Sequence, residues 1–119
     1  MAYLCIQIFK IQVMILYNVT VNVDSDVHDE WLEWMKEIHI ADVLATGMFV
    51  EAKLARILAE EAGGKSYSIQ YFAKSMNEYG KYLEEFAPKL QAEHEKKFSG
   101  KVVSFRTLLH IVHQIDEKG

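Results

Sequence analysis

Residues 14–23 run Met-Ile-Leu-Tyr-Asn-Val-Thr-Val-Asn-Val, a β-branched stretch that alternates. Successive side chains of a strand point to opposite faces, so Ile15, Tyr17, Val19, Val21 and Val23 form one row and Met14, Leu16, Asn18, Thr20 and Asn22 the other. Asp24-Ser25-Asp26 supplies turn and capping chemistry. Val27, Trp31, Trp34, Met35 and Ile38 then recur at helical spacing, which predicts a helix over 26–40 with a short final turn to Thr46 and a stop at Gly47. Residues 48–61 read as a second strand, Gly63-Gly64 as a hairpin signal and 65–74 as a third strand. Ser75-Met76-Asn77-Glu78 is a capping box. The helix it opens carries Tyr79, Tyr82, Leu83, Phe86, Leu90 and Phe98 along one stripe. Pro88 brings no amide hydrogen, so that helix should bend or restart near 86–87. Ser99-Gly100 ends it, and 102–115 reads as a fourth strand with Val103, Phe105, Thr107, Leu109 and Ile111 on one face.

The order β-α-β-β-α-β predicts a ferredoxin-like α+β domain over 14–119, a four-stranded antiparallel sheet with two helices on one face. Residues 1–13 are apolar but broken by Gln7, Lys10 and Gln12, too short and interrupted to span a membrane and without a secretory leader's basic start. They read as an extension upstream of a natural start at Met14, or as an added edge strand through Ile6, Ile8 and Phe9. Two helices cover one face of a sheet. The open face is expected to hold Leu16, Asn18, Thr20, Glu51, Lys53, Ser68, Gln70, Phe72, Ser104, Arg106, Leu108 and His110. Leaving Leu16, Phe72 and Leu108 in water would cost roughly 1.5–3 kcal/mol each. A second copy laid sheet to sheet would bury them around a semi-polar central cavity, so a homodimer is expected, a dimeric α+β barrel.

Composition narrows the partners. At 119 residues and 50% apolar content the chain is one globular domain, and 12% aromatic residues set it apart from disordered sequences. A net charge of −4 argues against a nucleic-acid binder that works by neutralising phosphates and against an anionic membrane surface. The single cysteine, Cys5, leaves no internal disulfide and no cysteine-built zinc site, and fits a cytoplasmic location.

Several stretches resemble a small bacterial protein family of unknown function. They are 14–23, 28–39 (His-Asp-Glu-Trp-Leu-Glu-Trp-Met-Lys-Glu-Ile-His), 42–47 (Asp-Val-Leu-Ala-Thr-Gly), 67–72 (Tyr-Ser-Ile-Gln-Tyr-Phe), 82–94 and 104–109. The resemblance covers 14–115 and implies a ferredoxin-like fold and a dimer, but no activity, cofactor or catalytic residue. At the level of fold it extends to dimeric α+β barrel proteins, which include small monooxygenases and isomerases.

Candidate chemistry centres on Asn18, Gln70 and Arg106, which the usual strand order brings side by side. A guanidinium fork suits a carboxylate or phosphate, and two amides can orient a ligand. Ser68, Ser104 and Glu51 complete this candidate ligand site for a small anionic molecule. The alternative is a self-satisfied set, with Arg106 paired to Glu51 and the amides bonded to each other. His94 and His110 are candidate bases for an enzyme of the barrel type, a cofactor-independent monooxygenase or isomerase. The remaining histidines read as exposed or capped. No metal site is expected, because His110 and His113 fall on opposite strand faces and His28 and His39 are three helical turns apart. Lys65 to Phe72 matches an RNA-recognition strand only in part. No phosphate loop, nucleophile elbow or cofactor motif occurs.

Overall fold

The computed structural model describes residues 14–59 and 63–117. The proposed extension, 1–13, lies outside the described residues. Four strands, β1 (Met14–Asp24), β2 (Glu51–Arg56), β3 (Gly64–Ala73) and β4 (Val102–Ile111), pair antiparallel in the order β2-β3-β1-β4. Helices α1 (His28–Trp34) and α2 (Ile40–Ala45) form one helical rod, and α3 (Met76–Lys81) and α4 (Ala87–Lys97) the other. The chain therefore has the ferredoxin-like βαββαβ arrangement that its hydrophobic pattern predicts.

Each rod is interrupted by a π turn, Met35–His39 in the first and Tyr82–Phe86 in the second. The second has a visible cause. Pro88 cannot donate to the preceding turn, and the helix restarts through Phe86 at φ −122° with the proline in its first turn. Ser75 caps α3 by accepting from the Asn77 amide at 3.2 Å, while its hydroxyl donates to the Glu78 carboxylate. Gly47 ends the first rod at φ +80°.

The second strand is shorter than its sequence suggests. Phe49 turns inward instead, and its ring packs 4.8 Å from Tyr82 and 5.3 Å from Tyr71. Burying that ring costs the ladder its first residues, so β2 begins at Glu51. The core lies between sheet and helices, with Val23, Trp31, Val43 and Ile69 nearly inaccessible. Tyr17 is its hub, packed against Phe49, Tyr71, Tyr79 and Tyr82.

The largest departure from expectation is the facing of β4. Val23 pairs with Val102, Val21 with Ser104, Val19 with Arg106, Tyr17 with Leu108 and Ile15 with His110. Directly opposed residues share a face, so Ser104, Arg106, Leu108 and His110 lie on the helix side and not on the open face. Val103, Phe105, Thr107, Leu109 and Ile111 take the open face. The more apolar row of β4 thus points away from the helices, the reverse of the ordinary inference that the greasier row faces the core.

Candidate functional site

Two polar groupings result, on opposite faces of the sheet. On the open face the Asn18 amide donates to Thr20 Oγ1 at 2.9 Å, Ser68 Oγ donates to Asn18 Oδ1 at 2.5 Å, and the Gln70 amide donates to Ser68 Oγ at 3.2 Å. Asn18, Gln70 and Ser68 are therefore neighbours, as the strand order implies, but they satisfy one another. Glu51 pairs with Lys53 at 3.6 Å, on the same strand, and not with Arg106. Around this polar centre lie Leu16 and Phe72, half-buried, and Val103, Phe105 and Leu109, which are 74%, 62% and 43% exposed.

Arg106 and Ser104 belong to a different place. They line a cavity of about 400 Å³ between the sheet and the helices. Its floor is Tyr17, Val19 and Val21 of β1 with Ile69 and Tyr71 of β3. The first rod contributes Trp31, Met35 and His39, and the second Tyr82, Gln91, His94 and Glu95. The cavity exists because β4 is an edge strand that the two rods reach past only in part. Arg106 lies at its exposed side, and its Nε donates to Tyr17 Oη at 2.9 Å. Among the described residues no carboxylate lies within ion-pair distance of its guanidinium.

The two cavity histidines are held without charge. Burial lowers His39 from 6.5 to about 4, the neighbouring His94 pushes the same way, and Asp42 opposes weakly. Its Nδ1 is buried without a partner, and its ring stacks on Trp34 at 4.9 Å. Burial also lowers His94, with Glu95 opposing and the Arg106 charge assisting. Trp31 Nε1 donates to His94 Nε2 at 3.0 Å. Desolvation raises the Tyr71 and Tyr82 phenols, which stay protonated. At neutral pH the cavity thus offers one permanent cation, two neutral imidazoles and phenolic hydroxyls, with Gln91, Glu95 and Ser104 adding further polar groups to a mixed lining.

Of the two histidines expected as bases, His94 is in the cavity and His110 is not. His110 is exposed on the helix-side row of β4 beyond Leu108. A polar cluster escaped the sequence reading altogether. His28, expected to be exposed or capped, is buried. Its Nδ1 donates to Asp29 at 3.0 Å, leaving Nε2 to accept from Tyr67 Oη at 2.5 Å. The Asp29-His28-Tyr67 chain joins α1 to β3 and lies outside the cavity. Tyr67 and Tyr71 share the core-facing row of β3 with Ile69, so they are not laid open as stacking platforms for RNA bases. Among the described residues no group of three or more acidic, histidine or cysteine side chains could hold a metal ion, and no helix is long and apolar enough to cross a membrane.

An antiparallel sheet backed by two π-interrupted rods, with a cavity at their open edge, defines a ferredoxin-like α+β protein. The chain belongs to the family described as a domain of unknown function, DUF4286, whose model matches residues 14–112. No curated protein matches the sequence. Among solved structures it resembles a dimeric ferredoxin-like protein from an uncultured marine organism, with 11% identity, a TM-score of 0.62, and 87% of this chain and 99% of that one covered. It also resembles the crystal structure of a candidate antibiotic biosynthesis monooxygenase from Bacillus cereus, with 9% identity, a TM-score of 0.61 and coverage of 87% and 97%. A third is a variant of MhuD with two manganese protoporphyrin IX molecules per active site, at 14% identity, a TM-score of 0.56 and coverage of 86% and 98%. At these identities the likeness is one of fold.

Proposed function

We propose that the protein is a homodimeric ligand-binding module, joined through its open sheet face, in which each subunit takes a small anionic molecule into its own helix–sheet cavity. The observation that carries the reading is Arg106, a guanidinium at the exposed side of the cavity that has no carboxylate partner among the described residues. A cavity of about 400 Å³ falls within the range of small-molecule sites. The open face supports self-association because its centre is internally satisfied while Phe105, Val103 and Leu109 stand exposed around it. Similar structures described as dimeric support it further. In this reading the ligand chamber lies inside each subunit and not between the sheets. A cytoplasmic setting belongs to the same reading and is supported by the single cysteine.

Native mass spectrometry of the purified protein tests both parts. The expected result is twice the 13.8 kDa chain mass, with a co-purified small acid that is lost in Arg106→Gln. A ligand-free monomer would overturn the reading.

A second reading, a cofactor-independent monooxygenase or isomerase, is favoured by the uncharged His39 and His94 in the cavity and by the monooxygenase-titled structure among the similar ones. In it His94 serves as base after giving up its bond from Trp31. Turnover of a carbon acid that is abolished in His94→Phe would establish it.

A further inference from the structure

The bond between Trp31 and His94 fixes more than the position of a ring. An indole nitrogen can only donate, so the imidazole nitrogen facing it must present its lone pair. A neutral imidazole carries one proton, and with Nε2 accepting, that proton resides on Nδ1. Trp31 is fully buried and cannot turn away without disturbing the core. His94 Nδ1 makes no hydrogen bond to another described residue. His94 lines the cavity, so with Nε2 engaged it brings there an N–H that no other described residue accepts, and no free lone pair. Arg106, on the opposing strand, brings further N–H groups. Between them the lining is mixed: Val19, Val21 and Ile69 on the sheet and Trp31 and Met35 on the rod are apolar, while Gln91, Glu95 and Ser104 add polar groups.

We propose that His94 is the specificity-determining donor of this site, and that the ligand is a flat carboxylate which also bears a neutral hydrogen-bond acceptor such as a ring-attached carbonyl. The carboxylate meets Arg106, the flat body fills the gap between the layers, and the carbonyl oxygen accepts from His94 Nδ1–H. The inference rests on the anionic-ligand reading above and adds the second polar group. A site built to hydrogen-bond a substrate group discriminates against analogues that lack it, because the site's own polar atom is then stranded. Burial of His94 supports the neutral, donating form at physiological pH.

The test compares near-isosteric acids in titration calorimetry with the full chain. The probes are 3- and 4-acetylbenzoate, which carry the carbonyl, and 3- and 4-isopropylbenzoate, which do not. The expected result is that at least one acetyl acid binds about fivefold to tenfold more tightly than its isopropyl counterpart. In His94→Phe, which keeps a ring in the cluster but no donor, the two should become equal. Nitrogen-15 correlation spectra of the wild-type protein provide a readout that needs no variant. His94 should show a protonated Nδ1 and an unprotonated Nε2 at pH 7, with the Nδ1 resonance moving on addition of the acetyl acid. Equal affinities in the wild type, a preference that persists in His94→Phe, or an Nε2-protonated His94 would each overturn the inference while leaving Arg106 as the anchor. Failure of all four acids to bind would overturn the anionic-ligand reading and this inference together.

Discussion

His39 is a titratable ring placed where charge is costly. The unfolded chain takes up its proton near pH 6.5, while the folded protein resists until about pH 4. Acidification through that window therefore favours the unfolded state. Stability should be full above pH 6.5, fall between 6.5 and 4, and lose nothing further to this residue below 4. One pKa unit is worth about 1.36 kcal/mol, so the loss should approach about 3 kcal/mol, with His94 adding in the same direction. Urea denaturation at pH 7.5 and pH 4.5 measures it. In His39→Phe the difference between the two should shrink markedly. Tyr67 offers a second test, independent of pH. Its hydroxyl serves buried His28, and Tyr67→Phe would strand that imidazole nitrogen at a cost of about 1–3 kcal/mol, visible as a lower denaturation midpoint. Neither contact was legible in the sequence. Residues 28 and 67 are 39 apart, and only the packing of α1 on β3 brings them together.

Elements were far more legible than contacts. The β-branched run of β1, the double glycine before β3 and the box at Ser75 each carry a local physical signal, and each element formed where that signal falls. The Pro88 bend was legible too, since a missing amide hydrogen acts locally. Its form as a π turn was not, and neither was the π turn at Met35–His39, which no proline accompanies. The facing of β4 was misread for a definite reason. Alternation identifies two rows but not which row meets the core, and on β4 the more apolar row faces away from the helices. That error moved Arg106, Ser104 and His110 to the wrong side of the sheet, and with them the expected chamber. Gly64, where β3 begins, gives an element-scale prediction. A Cβ there would meet the Val23 carbonyl oxygen and Asn22 Oδ1, each at 2.7 Å. The backbone oxygen cannot swing aside, so Gly64→Ala should destabilise the protein by about 1–3 kcal/mol in thermal or urea melts.

For the molecule as a whole, the sheet is a partition with a cavity on one side and an exposed apolar row on the other. Phe105 and Arg106 are adjacent in sequence and serve different compartments. Phe105→Glu should yield a monomer in size exclusion with light scattering, because two carboxylates would be forced against an apolar neighbour. The same variant should still bind the acetylbenzoates, since the chamber wall is drawn from a single chain. Arg106→Gln should do the converse, weakening binding about tenfold or more while leaving the dimer mass unchanged. If Phe105→Glu also abolished binding, the two sides would have to be coupled through the pleat.

The short bend between α4 and β4 decides which neighbour each of these side chains meets. The Lys101 amide donates to the Phe98 carbonyl at 3.0 Å, the Lys101 carbonyl accepts from Asp24 at 2.9 Å, and Gly100 takes φ +74° between them. That clasp is the indexing pin of the last strand. One residue inserted into it, with the ladder re-formed a step out of phase, would rotate every later side chain through the sheet. Phenylalanine would then point into the cavity and arginine out of the open face. A single codon there would thus exchange the two rows of the last strand, emptying the cavity of its guanidinium and the outer face of its aromatic ring, with no position of either surface altered.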